Sequence, residues 1–247
     1  MRVQLRNQIP TNSTLVGIRW PRDERDSFDR TRFRFYSLVV RIPHCHCGDR
    51  SSILLRTANF KPPRAAIFIM SNIFLISDLH FGHEAPYSKF TRDDGSFLRP
   101  HGSAHMGDEA MILNWNNRVH PNDKVYVLGD VVVSKNAKGL DILHRLMGEK
   151  ILIKGNHDLC KLSQYAEHFK DIRGSHQLDG MLLTHIPVHP DSLYRWTHNI
   201  HGHLHYKQVM TAFGARVDSR YFNVSVERIN YTPISLEELK VAIKNRS

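Results

Sequence analysis

Five short clusters in this 247-residue chain combine carboxylate, imidazole and amide side chains at spacings that could hold metal ions. They are Asp78-x-His80, Gly129-Asp130, Gly155-Asn156-His157-Asp158, the single His185, and Gly202-His203-x-His205. Two divalent cations roughly 3.5–4 Å apart can clamp the attacking and leaving oxygens of an in-line phosphoryl displacement, and such a pair takes about seven ligands, one of them a carboxylate able to bridge. Asp78, His80, Asp130, Asn156, His185, His203 and His205 supply that number. Their mixture of carboxylate, imidazole and amide oxygen suits manganese, iron, zinc or nickel better than magnesium, which prefers oxygen and water. His157 is left over beside the amide ligand, placed for a proton-donor role. The chain holds 17 His, so spacing rather than abundance has to select the site.

Each cluster stands at the end of an apolar run of strand type. Ile73–Ser77 leads into Asp78, Lys124–Leu128 into Gly129, Lys150–Lys154 into Gly155, Met181–Thr184 into His185, and Asn199–His201 into Gly202. In an open α/β sheet, groups at the carboxyl ends of adjacent strands converge on one crevice. Helical spacing of apolar residues predicts helices over Gly107–Val119, Asn136–Met147 and Asp158–Phe169, the last with Asp158 as N-cap. Phe213–Ile229 reads as strands, and Ser235–Ile243 as a closing helix with Ser235 and Glu238 as a capping box. Strand–helix alternation makes the fold class α/β, with α+β character in places.

In this order the five clusters resemble the calcineurin-like metallophosphoesterase superfamily, over about residues 73–205 and, through the terminal strands, 70–247. The Asp78–His83 opening, D-x-H-F-G-H, and the Asn223-Val224-Ser225 segment resemble its small prokaryotic and phage-type members. The resemblance implies a two-sheet β-sandwich flanked by helices (αββα), with a dinuclear metal site at the C-terminal strand edge. It implies that Asp78, His80 and His205 hold one divalent ion, that Asn156, His185 and His203 hold a second, and that Asp130 bridges them. His157 would be the catalytic imidazole, with Asp158 orienting it. The implied activity is metal-dependent hydrolysis of a phosphomonoester or phosphodiester by a metal-bridging hydroxide, with manganese first among the metals and iron, zinc or nickel also suited.

Other residues read two ways. His83 is expected either to reach a substrate phosphate or to lie in solvent or behind the ligands. His201, at period two from His203 and His205, is either a partner of the ligands or a satisfied buried histidine. His189 could line the pocket. His101, His105, His120, His144, His168, His176 and His198 read as surface or helix-face residues, and Cys160 as a core thiol. The motif-free stretch Glu84–Gly107 is expected to be a long loop that selects substrate. Its Lys89, Arg92 and Arg99 either meet phosphate oxygens or stand as exposed charges.

The net charge of +10 is unevenly spread. Residues 1–69 hold 13 basic against 5 acidic side chains, so +8 of the total, and residues 70–247 are nearly neutral. A small phosphoester is therefore the expected partner, and nucleic acid a weaker one, because a long polyanion asks for a basic groove. Residues 1–69 read as an Arg-rich, poorly ordered extension, with possible short strands at Leu15–Ile18, Phe35–Ile42 and Ser52–Leu55. Met70, directly before the first strong strand, is expected to be the true start, so that 70–247 forms the metallophosphoesterase domain. His44-Cys45-His46-Cys47 lacks the ligand spacing of a zinc site. No apolar run is long enough to span a membrane, and three Cys with no secretory leader point to a cytoplasmic location. A metal-dependent nuclease is the alternative activity. A non-catalytic scaffold of the same fold is the less favoured one, since it predicts missing ligands and all seven are here.

Overall fold

The computed structural model describes residues 71–133, 137–214 and 216–246. The expectations for residues 1–69, for the start at Met70 and for His44–Cys47 lie outside the described residues.

The described chain is mixed α/β, with two sheets and several helices. The first sheet has the order β4-β3-β2-β1-β9. Its strands are β1 (Ile73–Ile76), β2 (Lys124–Val127), β3 (Glu149–Ile153), β4 (Asp171–Arg173) and β9 (Ile234–Ser235). β1 to β4 are parallel and β9 is antiparallel to β1. The second sheet has the order β5-β6-β7-β8, from β5 (His176–Leu178), β6 (Met181–Leu183), β7 (Asn199–His201) and β8 (Tyr221–Asn223). Here β6, β7 and β8 run parallel, and β5 is antiparallel to β6. Parallel strands expose their carboxyl ends along one edge, which is what the ligand clusters require.

Alternation along the strands divides the core. Phe74, Ile76, Val125, Val127 and Leu152 face one cluster, with Met111, Trp115, Leu140, Leu143 and Tyr165. Leu75, Tyr126, Leu128, Ile151 and Ile153 face another, where they meet Met181, Leu183, Ile200 and Phe222 of the second sheet and Leu239. The first sheet is thus apolar on both faces, and its strands read as continuous hydrophobic runs for that reason. An isolated parallel bridge, Ser77 to Ser225, ties the end of β1 to the chain just beyond β8.

The helices depart from expectation in instructive ways. Helix α2 (Ala104–Asn116) begins three residues before Gly107, because the Ser103 hydroxyl accepts the Met106 N–H and caps it there. Residues Ala137–Arg145 form a 3-10 helix, not the α-helix expected over Asn136–Met147. Leu140 and Leu143 within it and Leu146 just beyond it are buried, at a period of three, while His144 and Met147 are exposed. Helix α3 covers only Leu162–Tyr165 and starts after Lys161. Asp158 does not cap it, since its carboxylate is committed elsewhere. Of the strands expected over Phe213–Ile229, only β8 forms among the described residues. The closing helix α4 (Leu236–Lys244) has the expected box, with Ser235 capping Glu238 N–H and Glu238 accepting from Ser235 N–H. Glu84–Gly107 is not one open loop: it holds helix α1 (Ala85–Ser88) and the first turn of α2. No helix among the described residues is long and apolar enough to cross a membrane.

Candidate metal centre

β1, β2, β3, β6 and β7 each deliver a sequence-expected ligand from the turn that follows the strand. The turns are sharp. Asp78, Asp130, His80, His203 and His205 all have positive φ, between 47° and 69°. These are five of the eight non-glycine residues in that conformation among the described ones. Left-handed backbone at a non-glycine residue costs about 1–3 kcal/mol and persists where the surroundings over-determine it. The glycines in the motifs answer to close approach. A Cβ on Gly129 would lie 2.6 Å from the Gly155 Cα and 2.7 Å from His185 Nδ1. One on Gly202 would strike the Ser77 hydroxyl and the Asp78 carboxylate.

Two groups of side chains could each hold a metal ion. In Asp78, His80 and His205, and again in Asp130, His185 and His203, one ligand atom per residue lies within 4.8 Å of the others. Asp130 Oδ2 stands between the groups, 3.5 Å from His80 Nε2 and 3.3 Å from His185 Nε2. Its other oxygen accepts the His157 N–H at 2.8 Å. Asn156 Oδ1 is 2.9 Å from His185 Nε2. His185 Nδ1 donates to the Leu128 carbonyl at 2.7 Å, which turns the Nε2 lone pair toward Asp130 and Asn156. His205 Nδ1 likewise donates to Glu227 Oε1 at 3.2 Å. Asp78 Oδ2 accepts from Ser225 Oγ (2.8 Å) and His203 N–H (2.9 Å). Asp78 Oδ1 and both ring nitrogens of His80 are buried without a hydrogen-bond partner. Carboxylate oxygens and bare imidazole nitrogens pointing at one another, with His185, His205 and Asp78 held from behind by hydrogen bonds, fit a cation.

The electrostatics agree. Burial drives the His80 imidazole down to about 3, so it is the neutral, ligating form at pH 7. Burial would raise Asp130, but the His185 hydrogen bond and charge outweigh it and hold the carboxyl at about 2. Burial pushes Asp78 above the ordinary carboxylate range despite His205 and His185. It opposes charge on His185 too, yet the Asp130 hydrogen bond and the charges of Asp78 and Asp130 prevail and raise it. The centre demands positive charge.

Nothing in the sequence points to Glu227, and Arg99 reads there only as a phosphate contact or an exposed charge, yet both stand directly behind the ligands. Arg99 is 1% exposed, so it is neither a phosphate-facing nor an exposed loop charge. Its Nε donates to Glu227 Oε1 at 2.8 Å, and its terminal nitrogens donate to the Asp78 and Leu79 carbonyls. Burial would raise Glu227, but Arg99 and His205 hold it at about 2. The same Glu227 oxygen therefore orients His205 while Arg99 clamps the Asp78 turn. Arg92 is spent on the Leu98 carbonyl, and Lys89 is exposed.

The exposed His157 ring stands 5.5 Å from the His80 ring, centroid to centroid. Asp158 does not orient it. The Asp158 carboxylate accepts the backbone N–H groups of Asp130, Val131 and Gly155, at 2.8–3.0 Å, and so splices two ligand loops together. His83 is half-buried, its ring 5.7 Å from that of His80. His201 is fully buried, and its Nδ1 donates to the Gly202 carbonyl. The strand ends at His201, so period two does not carry on to His203 and His205. His189 is exposed and caps the short helix Pro190–Leu193. Cys160 is a buried core thiol as expected. Asn223, in the segment singled out from the sequence, donates to the His205 and Lys207 carbonyls and holds the last ligand loop.

No family model matches the chain. It is 37% identical over 175 residues to the uncharacterized protein MJ1445 of Methanocaldococcus jannaschii, an overlap of 68% of this chain and 89% of that protein. It is 34% identical over 92 residues to the gene 66 protein of Mycobacterium phage D29, covering 36% of this chain and 41% of the phage protein. Among solved structures it is similar to the Aquifex aeolicus protein of unknown function AQ665, at 26% identity and a TM-score of 0.51, over 70% of this chain and 99% of that one.

Proposed function

The chain belongs to the same family as protein MJ1445 of Methanocaldococcus jannaschii, and on the site described above we propose that it is a binuclear-metal phosphoesterase of the calcineurin-like type. The observation that carries the reading is Asp130 Oδ2, set within 3.5 Å of a ring nitrogen from each triad. A single carboxylate so placed suits two ions better than one. Asp78, His80 and His205 would hold the first, Asn156, His185 and His203 the second, and Asp130 both. The ligand set favours manganese, with iron, zinc or nickel as substitutes. Bound there, the ions would supply water activated at neutral pH and neutralise the phosphoryl oxygens.

The chain's own groups do the rest. His157 stands exposed at the lip of the centre, its backbone fixed by Asp130. Its ring donates a proton to the departing oxygen. His83, half-buried beside His80, orients a phosphate oxygen. Glu227 and the Leu128 carbonyl hold the His205 and His185 rings so that Nε2 faces inward. The two sheets share a core cluster that α4 joins through Leu239, and α2 packs on the other face of the first sheet through Met111 and Trp115, an arrangement that suits the helix-flanked sandwich of that superfamily. The near-neutral charge of residues 70–247 favours a small phosphoester over a long polyanion.

The test is hydrolysis of nitrophenyl phosphate and bis-nitrophenyl phosphate by the metal-free chain, before and after manganese. Activity that appears with manganese and is lost on chelation supports the reading. Failure to hydrolyse either ester with any of manganese, iron, zinc or nickel contradicts it.

A further inference from the structure

Away from the centre, a second set of metal-type ligands has come together from residues that look unremarkable in the sequence. Asp141, His144 and His168 each offer a ligand atom within 4.8 Å of the other two. The two imidazole rings lie 4.5 Å apart, centroid to centroid, tilted by 57°. Asp141 and His144 are three residues apart on the 3-10 helix Ala137–Arg145. Side chains at that spacing eclipse on a 3-10 helix, so the departure from α-helical geometry is what aligns them. Leu140 and Leu143, both buried, anchor that helix on the core. His168 lies between the end of α3 and β4, flanked by the buried Tyr165 and Phe169. Both backbones are therefore fixed, and only side-chain torsions remain to be set. His168 Nδ1 is a buried nitrogen with no hydrogen-bond partner.

The geometry points to a third metal site, of the zinc class, formed by Asp141, His144 and His168. Two imidazoles and one carboxylate are a ligand set of zinc and its late first-row neighbours, and water completes four-coordination at an exposed position. With bonds of about 2.0–2.2 Å, tetrahedral ligand atoms stand about 3.4 Å apart. The three side chains need to close by roughly 1 Å, within the reach of exposed rotamers. The neighbouring cation is already engaged: Lys150 Nζ donates to the Leu146 and Gly148 carbonyls. The ion would staple two connections. The 3-10 helix follows the loop that carries Asp130, and α3 follows the loop that carries Asn156 and His157. A bond between those connections stiffens the walls behind both loops without touching substrate, so its role is structural.

The experiment compares the full wild-type chain with His144→Ala/His168→Ala, and uses zinc itself as the probe. After equilibrium dialysis against micromolar zinc and metal analysis, the wild type should hold one zinc more per chain than the double variant. Zinc should also raise the thermal midpoint of the wild type further. Because the three residues are exposed or half-buried, the variant should fold; circular dichroism checks this. Asp141→Asn gives a milder second test, with an expected loss of at least about tenfold in affinity for that one zinc. Equal zinc content and equal affinity in the wild type and in the folded variants overturn the proposal. The centre at Asp130 is intact in all of them, so the difference reports on the outer site alone.

Discussion

The molecule assembles imidazole and carboxylate groups in two places, by opposite means. At the strand edge Asp78, His80, Asp130 and His185 are buried, five of the seven ligands sit in left-handed backbone, and His205, Asp78 and His185 are tied from behind to Glu227, Ser225 and the Leu128 carbonyl. At the outer trio, Asp141 and His144 are exposed, the backbone is relaxed helix, and no carboxylate fixes either ring from behind. Strain and fixed outer partners are what a site needs if geometry is to matter to a reaction. Their absence suits a site that only binds. The contrast teaches that ligand type does not separate a reaction centre from a staple; the partners behind the ligands do.

That contrast can be broken most forcefully at Asp130. Asp130→Asn should lower kcat/KM for a phosphoester by roughly 10⁴-fold, since several kcal/mol of charge stabilisation depend on the one carboxylate between the triads. Retention of most activity, while His80→Ala abolishes it, would remove Asp130 from the bridging role. Next comes His157→Ala, with a loss of about 10²–10⁴-fold on poor leaving groups and less on nitrophenolate, which needs little protonation. Metal content should not change. Equal losses on both substrates would leave His157 as a charge stabiliser and not an acid.

The outer partners come third. Glu227→Gln leaves Arg99 buried without its countercharge, which typically costs about 3–5 kcal/mol in stability. It also frees the His205 ring, and should weaken metal binding by about 10–100-fold. Urea unfolding and metal titration read the two effects separately, and an unchanged affinity would show that His205 needs no carboxylate behind it.

A smaller effect is expected from pH. Burial holds His201 at about 4 against its ordinary 6.5. A depressed folded value means that stability is full above 6.5 and falls as pH drops toward 4, because the unfolded chain takes the proton first. At pH 5 this amounts to about 2 kcal/mol. His201→Gln should flatten that part of the slope between pH 7 and 5; an identical slope would assign it to other groups. Smallest of all, His144→Ala should leave kcat/KM within about twofold, or ~0.4 kcal/mol. A large loss there would erase the distinction between the two places.

The strand edge was legible in the sequence for a physical reason. Strands buried on both faces must be short apolar runs, and each run stops where a polar ligand takes over, so ends and ligands are read together. All seven expected ligands arrive at that edge. The clamp behind them was not legible. Arg99 and Glu227 are 128 residues apart and follow no periodic pattern, and only the folded turn at Asp78 brings them together. Asp158 was read as a helix cap because Asp often is one, but two loops lacking donors' partners claimed its carboxylate instead. The outer trio stayed hidden because Leu140, Leu143 and His144 suit an α-helix. Burial of Leu146 rather than Met147 is the detail that selects period three.

The most direct test of the account is electron paramagnetic resonance of the wild-type chain loaded with two equivalents of manganese. Two ions joined by the Asp130 carboxylate are predicted to give a spin-coupled spectrum, replaced in Asp130→Asn by the six-line signal of isolated ions. A wild-type spectrum of isolated six-line manganese alone, at the same loading, would contradict a shared centre.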